Sequence, residues 1–250
     1  MFDHRSGAKL SAPLHVEMAV TSSCQLNCNY CSAMPFSGAL APLERTCKII
    51  AEMGEMRVHS LLLSGGEPTL HPGFLQIAAI ASRAIPEVLI NSNGIRLSRE
   101  NYADSFHAQA PNSLVAISID SADVAVNDLH RGAGGAQAIR AVRNLIEREH
   151  SVCISSVLTI DSFETAEQLI DLFFPDVVNF RFFPQVPTSE ENRQAVQGEY
   201  LDRLDQFFAR LHARSEREPT LKLHLPRKKA PGGGAGRDVR RARSVLLRLQ

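Results

Sequence analysis

Apolar residues cluster along the chain in runs of strand length: LHVEMAV (14–20), VHSLLLS (58–64), EVLINS (87–92), SLVAISID (113–120), VCISSVLTI (152–160) and VVNFRFF (177–183). We read these as six strands. Between them, residues 41–54, 73–84, 98–108, 135–149 and 163–174 place apolar side chains three and four apart, as in Ile139, Val142, Leu145 and Ile146, which predicts helices with one buried face. Strands apolar on both faces that alternate with helices predict a parallel sheet covered by its crossovers, either an open doubly wound sheet or a barrel. A further helix is expected over 197–214 from the stripe of Tyr200, Leu204, Phe207, Phe208 and Leu211, followed by the short segment LKLHL at 221–225.

Composition fits an ordinary globular protein of 250 residues, 44% hydrophobic with no tryptophan, and one large domain is the simpler expectation. No run reaches the ~18 apolar residues of a membrane span and the first residues are too polar for a signal peptide, so a cytoplasmic protein is expected. The net charge of zero is uneven. Residues 226–250 carry eight basic residues and one acidic residue, which leaves residues 1–225 acidic by the same seven charges. The composition breaks near Pro226, and the expected division is a core over 1–225, its motifs within about 12–185, followed by a basic Gly/Arg-rich tail over 226–250 that lacks the apolar content to order itself.

Three of the five cysteines, Cys24, Cys28 and Cys31, form a CxxxCxxC loop directly after the first strand. An odd cysteine count in a chain of this size argues against a disulfide framework and for a metal site in a reduced compartment. Three thiolates on a four-iron cluster leave one iron open, whereas structural zinc wants four closed ligands. A zinc site completed by His71 or His130, or three core cysteines, remains compatible with the spacing alone. At the end of the second strand stands Ser64-Gly65-Gly66-Glu67-Pro68-Thr69, where two glycines permit close backbone approach to a ligand and a carboxylate can grip an ammonium; a tight turn before the next helix is the plainer reading.

Together, CxxxCxxC after strand one and GGEP after strand two resemble the radical S-adenosylmethionine (radical SAM) superfamily. The likeness extends through Asn91-Ser92-Asn93-Gly94, Ser118-Ile119-Asp120 and His130-Arg131-Gly132, and Tyr30 matches the aromatic residue usual between the last two cysteines. The resemblance implies a partial (β/α)6 TIM-like barrel of parallel strands with outer helices. It implies one [4Fe-4S] cluster on Cys24, Cys28 and Cys31, with SAM chelating the open iron, and an enzyme that cleaves SAM reductively to abstract hydrogen from a peptide or small natural-product substrate. It also places the Gly65-Gly66-Glu67 edge at the methionine ammonium, Ser118 and Arg131 at its carboxylate, Tyr30 against the adenine, and Asn93 and Asp120 near the nucleoside. The implied partners are the substrate and an electron donor such as flavodoxin or ferredoxin; neither a membrane nor nucleic acid is expected. No general base is assigned.

Outside these motifs, Cys47 and Cys153 read as small core residues. Glu17 and His15 on the first strand face either the barrel interior or a helix. On the sixth strand Asn179, Arg181 and Gln185 are candidate substrate contacts, with Phe180, Phe182 and Phe183 expected to pack. Relatives with this style of second motif carry later cysteines for auxiliary clusters, and no cysteine follows Cys153, so no auxiliary cluster is expected. Two other functions compete: a C-terminally truncated protein that binds cluster and SAM without turnover, and a zinc-bearing nucleic-acid module that uses the basic tail.

Overall fold

The computed structural model describes residues 12–33, 36–186 and 197–225, and the backbone of 245–248. Eight strands form one parallel sheet: β1 (His15–Thr21), β2 (Ser60–Gly65), β3 (Glu87–Ser92), β4 (Leu114–Ser118), β5 (Val152–Leu158), β6 (Asn179–Pro184), β7 (Lys222–His224) and β8 (Val245–Arg248). From β1 to β7 the order in the sheet is the order in the chain, with β8 beside β1. A doubly wound sheet reverses direction at a switch point and this one does not, which is barrel-type winding. Strands lie about 4.8 Å apart, so in a flat sheet β1 and β6 would stand about 24 Å from each other. Yet Glu17 and Ala19 of β1 line the same cavity as Phe183 and Pro184 of β6, so the sheet curls around it.

Strand alternation sets the two faces. Val16, Met18 and Val20 of β1 are buried toward the helices, while Glu17 and Ala19 turn to the cavity. The outer layer comprises α1 (Leu43–Glu55), α2 (Phe74–Ala84), α3 (Glu100–Gln109), α4 (Val124–Arg131), α5 (Gly135–Ile146), α6 (Phe163–Phe173) and α7 (Glu199–Arg217). In α5 the buried face is Ala138, Ala141, Val142 and Leu145, the three-and-four spacing legible in the sequence. Helix α7 belongs to the fold. Its Tyr200 hydroxyl donates to the Leu158 carbonyl (2.9 Å) and accepts from the Gln185 N–H (2.7 Å), while Phe207 packs edge-on against Phe182 and Phe163.

The expectations for six strands and their helices hold within a few residues, and three corrections follow. LKLHL contributes β7, paired with β6. Helix α4 was not foreseen; Asp123 caps it by accepting from the Ala125 N–H (2.8 Å), and it stops at Gly132, whose φ of 84° favours glycine. The expectation that residues 226–250 stand outside the sheet is corrected for Val245–Arg248, which pair in parallel with Val16–Ala19. The outer edge of β1 offers unpaired N–H and C=O groups, and a short apolar run satisfies them. The rest of that segment lies outside the described residues.

Candidate functional site

The cysteine loop leaves β1 and is fixed on two sides. On one side it meets the end of β2: the Gly66 N–H donates to the Thr21 carbonyl (2.8 Å) and the Glu67 N–H to the Ser23 carbonyl (2.7 Å). A Cβ on Gly65 would stand 2.1 Å from the Thr21 oxygen, and one on Gly66 would stand 2.3 Å from that of Ser23. Both glycines are therefore required by the chain's own backbone, a reason the sequence did not reveal. On the other side the loop meets the end of α4. The Asn29 N–H donates to the His130 carbonyl (3.0 Å), the Cys28 thiol faces the Arg131 carbonyl (3.7 Å), and Asn29 Nδ2 pairs with His130 Nδ1 (3.1 Å). His130 Nε2 in turn meets Asp161 Oδ2 (3.0 Å).

Cys24, Cys28 and Cys31 are free thiols and line one cavity of about 960 Å³, together with Tyr30, Gly65, Gly66, Glu67, Asn93, Ser118 and Arg131. Burial raises the pKa of Cys24 and Cys28, and the Arg131 charge works in the opposite direction on both. Cys24 also accepts from the Leu26 N–H (3.4 Å) and faces Asn93 Nδ2 (3.9 Å). Among the described residues no three His, Cys, Asp or Glu side chains are gathered as a ready-made chelate for a single ion. Three unpaired thiols opening on one cavity beside a buried cation suit a bulkier, negatively charged thiolate-ligated cluster. His71 is engaged elsewhere, with Nε2 on the Ala41 carbonyl (2.8 Å) and Nδ1 accepting from the Gly73 N–H (3.0 Å), which leaves it no role in completing a zinc site.

Glu67 is 1% exposed and its carboxylate is fully engaged. Oε1 accepts from Thr69 Oγ1 (2.6 Å), the Thr69 N–H (3.1 Å) and Ser92 Oγ (2.9 Å), and Oε2 accepts from the Asn93 N–H (2.7 Å). Its pKa is raised by burial against these four stabilising bonds. The side chain ties the end of β2 to the end of β3 and sets Asn93 in place. Thr69 and Ser92, which hold it, were not singled out in the sequence.

Tyr30, Asp120 and Arg131 meet one another. Tyr30 donates to Asp120 Oδ2, and Arg131 Nη1 donates to the Tyr30 hydroxyl (2.8 Å) and lies 3.4 Å from Asp120 Oδ1. Burial pushes the guanidinium pKa down, but Asp120 and then Tyr30 outweigh it and raise it, while burial and then Asp120 raise the pKa of Tyr30. Asp120 is fully buried; it also accepts from the Val157 N–H (2.9 Å), and its own N–H donates to Asn127 Oδ1 (3.0 Å). It anchors the cluster of side chains from behind and does not line the cavity. Ser118, at the end of β4, does.

Of the β6 candidates, none of Asn179, Arg181 and Gln185 lines the cavity, whereas Phe183, expected to pack, does so with Pro184 and Val186. Phe182 packs on Phe207 of α7 with Phe180 stacked beside it, so alternation puts Asn179, Arg181 and Phe183 on the other face, and of these Phe183, nearest the C-terminal end of the strand, lines the cavity with the Arg181 guanidinium 5.2 Å from its ring. No helix among the described residues is long and apolar enough to cross a membrane.

Residues 18–173 match the family model of the radical SAM superfamily. Mycofactocin maturase MftC of Mycobacterium tuberculosis is 34% identical over 164 residues, covering 60% of this chain and 39% of that protein, so the chain spans well under half of that relative's length. The structure of Streptococcus suis SuiB bound to S-adenosylmethionine superposes with a TM-score of 0.74 at 17% identity, over 88% of this chain and 51% of SuiB. SuiB bound to its precursor peptide SuiA gives the same TM-score over 87% of this chain and 49% of SuiB. At that identity the likeness is one of fold.

Proposed function

Because the chain belongs to the radical SAM superfamily, we propose that it is an iron–sulfur enzyme that cleaves SAM reductively and abstracts hydrogen from a peptide or small natural product. The observation that carries this reading is the convergence on one cavity of three free thiols, the Gly65-Gly66 edge, Asn93, Ser118 and a charged, buried Arg131. Cys24, Cys28 and Cys31 would hold a [4Fe-4S] cluster, which with SAM would supply one-electron reductive cleavage to a 5′-deoxyadenosyl radical, the electron coming from an external donor.

The chain's own residues hold and orient. Arg131 is fixed by Tyr30 and Asp120, offers a permanent positive charge to the cavity, and suits a carboxylate. The backbone at Gly65 and Gly66 is the edge for the ammonium, with Glu67 locking that edge to β3 from beneath and not gripping the ligand itself. Tyr30 and Asn93 flank the cysteine loop where a nucleoside would lie. The peptide reading draws support from the MftC and SuiB likenesses; an electron donor of the flavodoxin or ferredoxin kind would supply the reductant.

Anaerobic reconstitution tests the proposal. We expect about four iron and four sulfide per chain, loss of the cluster on replacing Cys24, Cys28 or Cys31 by Ala but not Cys47 or Cys153, and release of 5′-deoxyadenosine from SAM with dithionite. Stoichiometric zinc in place of iron would overturn it. A cluster with bound SAM but no cleavage would favour the alternative of a binding protein without turnover.

A further inference from the structure

Three charged side chains line the cavity among the described residues: Glu67, Arg131 and Glu17. Glu67 is served by four donors, and Arg131 is fixed by Tyr30 and Asp120 and assigned above to the SAM carboxylate. Glu17 differs. It projects inward from β1 and accepts one hydrogen bond, from Ser64 Oγ of β2 (2.9 Å), and no Lys, Arg or His among the described residues pairs with it. On the far side of β2, Asn91 of β3 also lines the cavity, and its side-chain oxygen is enclosed without any donor. Ser64 already spends its proton on Glu17, so it cannot serve Asn91 at the same time. Across β1, β2 and β3 the cavity wall therefore carries one under-bonded carboxylate, Glu17, and, sealed in the wall at Asn91, one acceptor without a donor. The opposite wall is apolar, from Val157, Phe183, Pro184 and Val186.

A carboxylate lining a cavity favours a cation, and an amide whose oxygen is unpaired loses nothing by turning it toward a donor. We infer that Glu17, with Asn91, forms a subsite for a cationic group carried on an aliphatic stem, the stem lying against the apolar wall. The chemistry is that of a lysine or arginine side chain in a peptide, or of a free alkylamine. This inference rests on the cavity being the radical SAM active site and names the substrate class that site takes.

The test uses the full chain, reconstituted anaerobically and saturated with SAM, with binding followed by saturation-transfer NMR. The probes are n-butylammonium, Nα-acetyl-lysine N-methylamide and, as the isosteric anion, pentanoate. Both cations are expected to bind, or the lysine derivative alone if the source is a peptide, while pentanoate does not. Glu17→Gln should weaken cation binding at least tenfold, and Asn91→Asp, which adds a second carboxylate, should tighten it. Opposite changes from one wall cannot come from misfolding. Equal binding of pentanoate, affinity unchanged in Glu17→Gln, or amine binding that is present without SAM and lost at saturating SAM would overturn the inference; the last would assign the carboxylate to SAM's own ammonium. Iron content is measured on the same samples, so a chain without cluster that still binds amines through Glu17 sinks the proposed reaction and leaves the subsite standing.

Discussion

Glu67 occupies a position where a carboxylate is costly unless it is well hydrogen-bonded, and four donors serve it, three on Oε1 and one on Oε2. In Glu67→Gln the amide would have to set an N–H against the Asn93 N–H or give up acceptors for Thr69 and Ser92. We expect a stability loss of about 1–3 kcal/mol by urea unfolding, and a larger one in Glu67→Ala, where two backbone N–H groups are stranded. His150 offers a second measurement. It is 4% exposed, packs against Phe106 and sits 3.1 Å from His107 Nδ1. Burial, then His107, lowers its pKa from 6.5 to about 4. The folded state thus binds the proton less readily than the unfolded chain. The stability from a neutral His150 is present above pH 6.5 and is lost as pH falls toward 4, by roughly 3 kcal/mol in all. His150→Phe should flatten the slope of unfolding free energy against pH in that window; an unchanged slope would show that other groups set it. That the cysteines, the glycine pair and Arg131 would line one cavity was legible in the sequence through the family motifs that carry them. Thr69 and Ser92 were not, since a hydroxyl that braces a buried carboxylate looks like any other until the fold brings the two together.

Among the elements, those with a continuous apolar face were readable and those defined by polar contacts were not. Helix α4 buries Asn127 and Arg131 as its inward residues, so a search for apolar periodicity passes over it, although it carries the cation of the site. Strand β8 was hidden for another reason: a four-residue run has no pairing preference of its own, and the free edge of β1 decides its place. The Tyr200 hydroxyl hydrogen-bonds helix α7 to the chain at the ends of β5 and β6, and burial pushes its own pKa up to about 12. Tyr200→Phe takes that partner from the Leu158 carbonyl and the Gln185 N–H, which keep their 3.2 Å bond to each other. It should cost about 0.5–1.5 kcal/mol in chemical denaturation; a loss below ~0.5 kcal/mol would mean that the direct Gln185–Leu158 bond already satisfies both groups.

For the whole molecule, a parallel sheet that curls without closing leaves two ends, and the chain covers one of them with β8. Deleting residues 226–250 removes that strand while sparing every residue proposed to touch the cofactor. Amide exchange at Val16–Ala19 is expected to accelerate, with cluster content retained; exchange unchanged at those amides would mean that the pairing with β8 does not persist in solution.

The two-sided fastening of the cysteine loop bears on how the protein acquires its iron. Zinc-finger peptides are disordered until metal arrives, and much of the metal's affinity goes into folding them. Here Thr21, Ser23, Asn29, His130 and the Gly65-Gly66 edge hold the loop by main-chain bonds that need no metal at all. Loading is therefore expected to leave the far-ultraviolet circular dichroism nearly unchanged, and a large change would show that the loop folds on the metal instead. Assembly of the cluster should be limited by delivery of iron and sulfide, and a chain emptied by oxygen should remain folded and ready to be refilled.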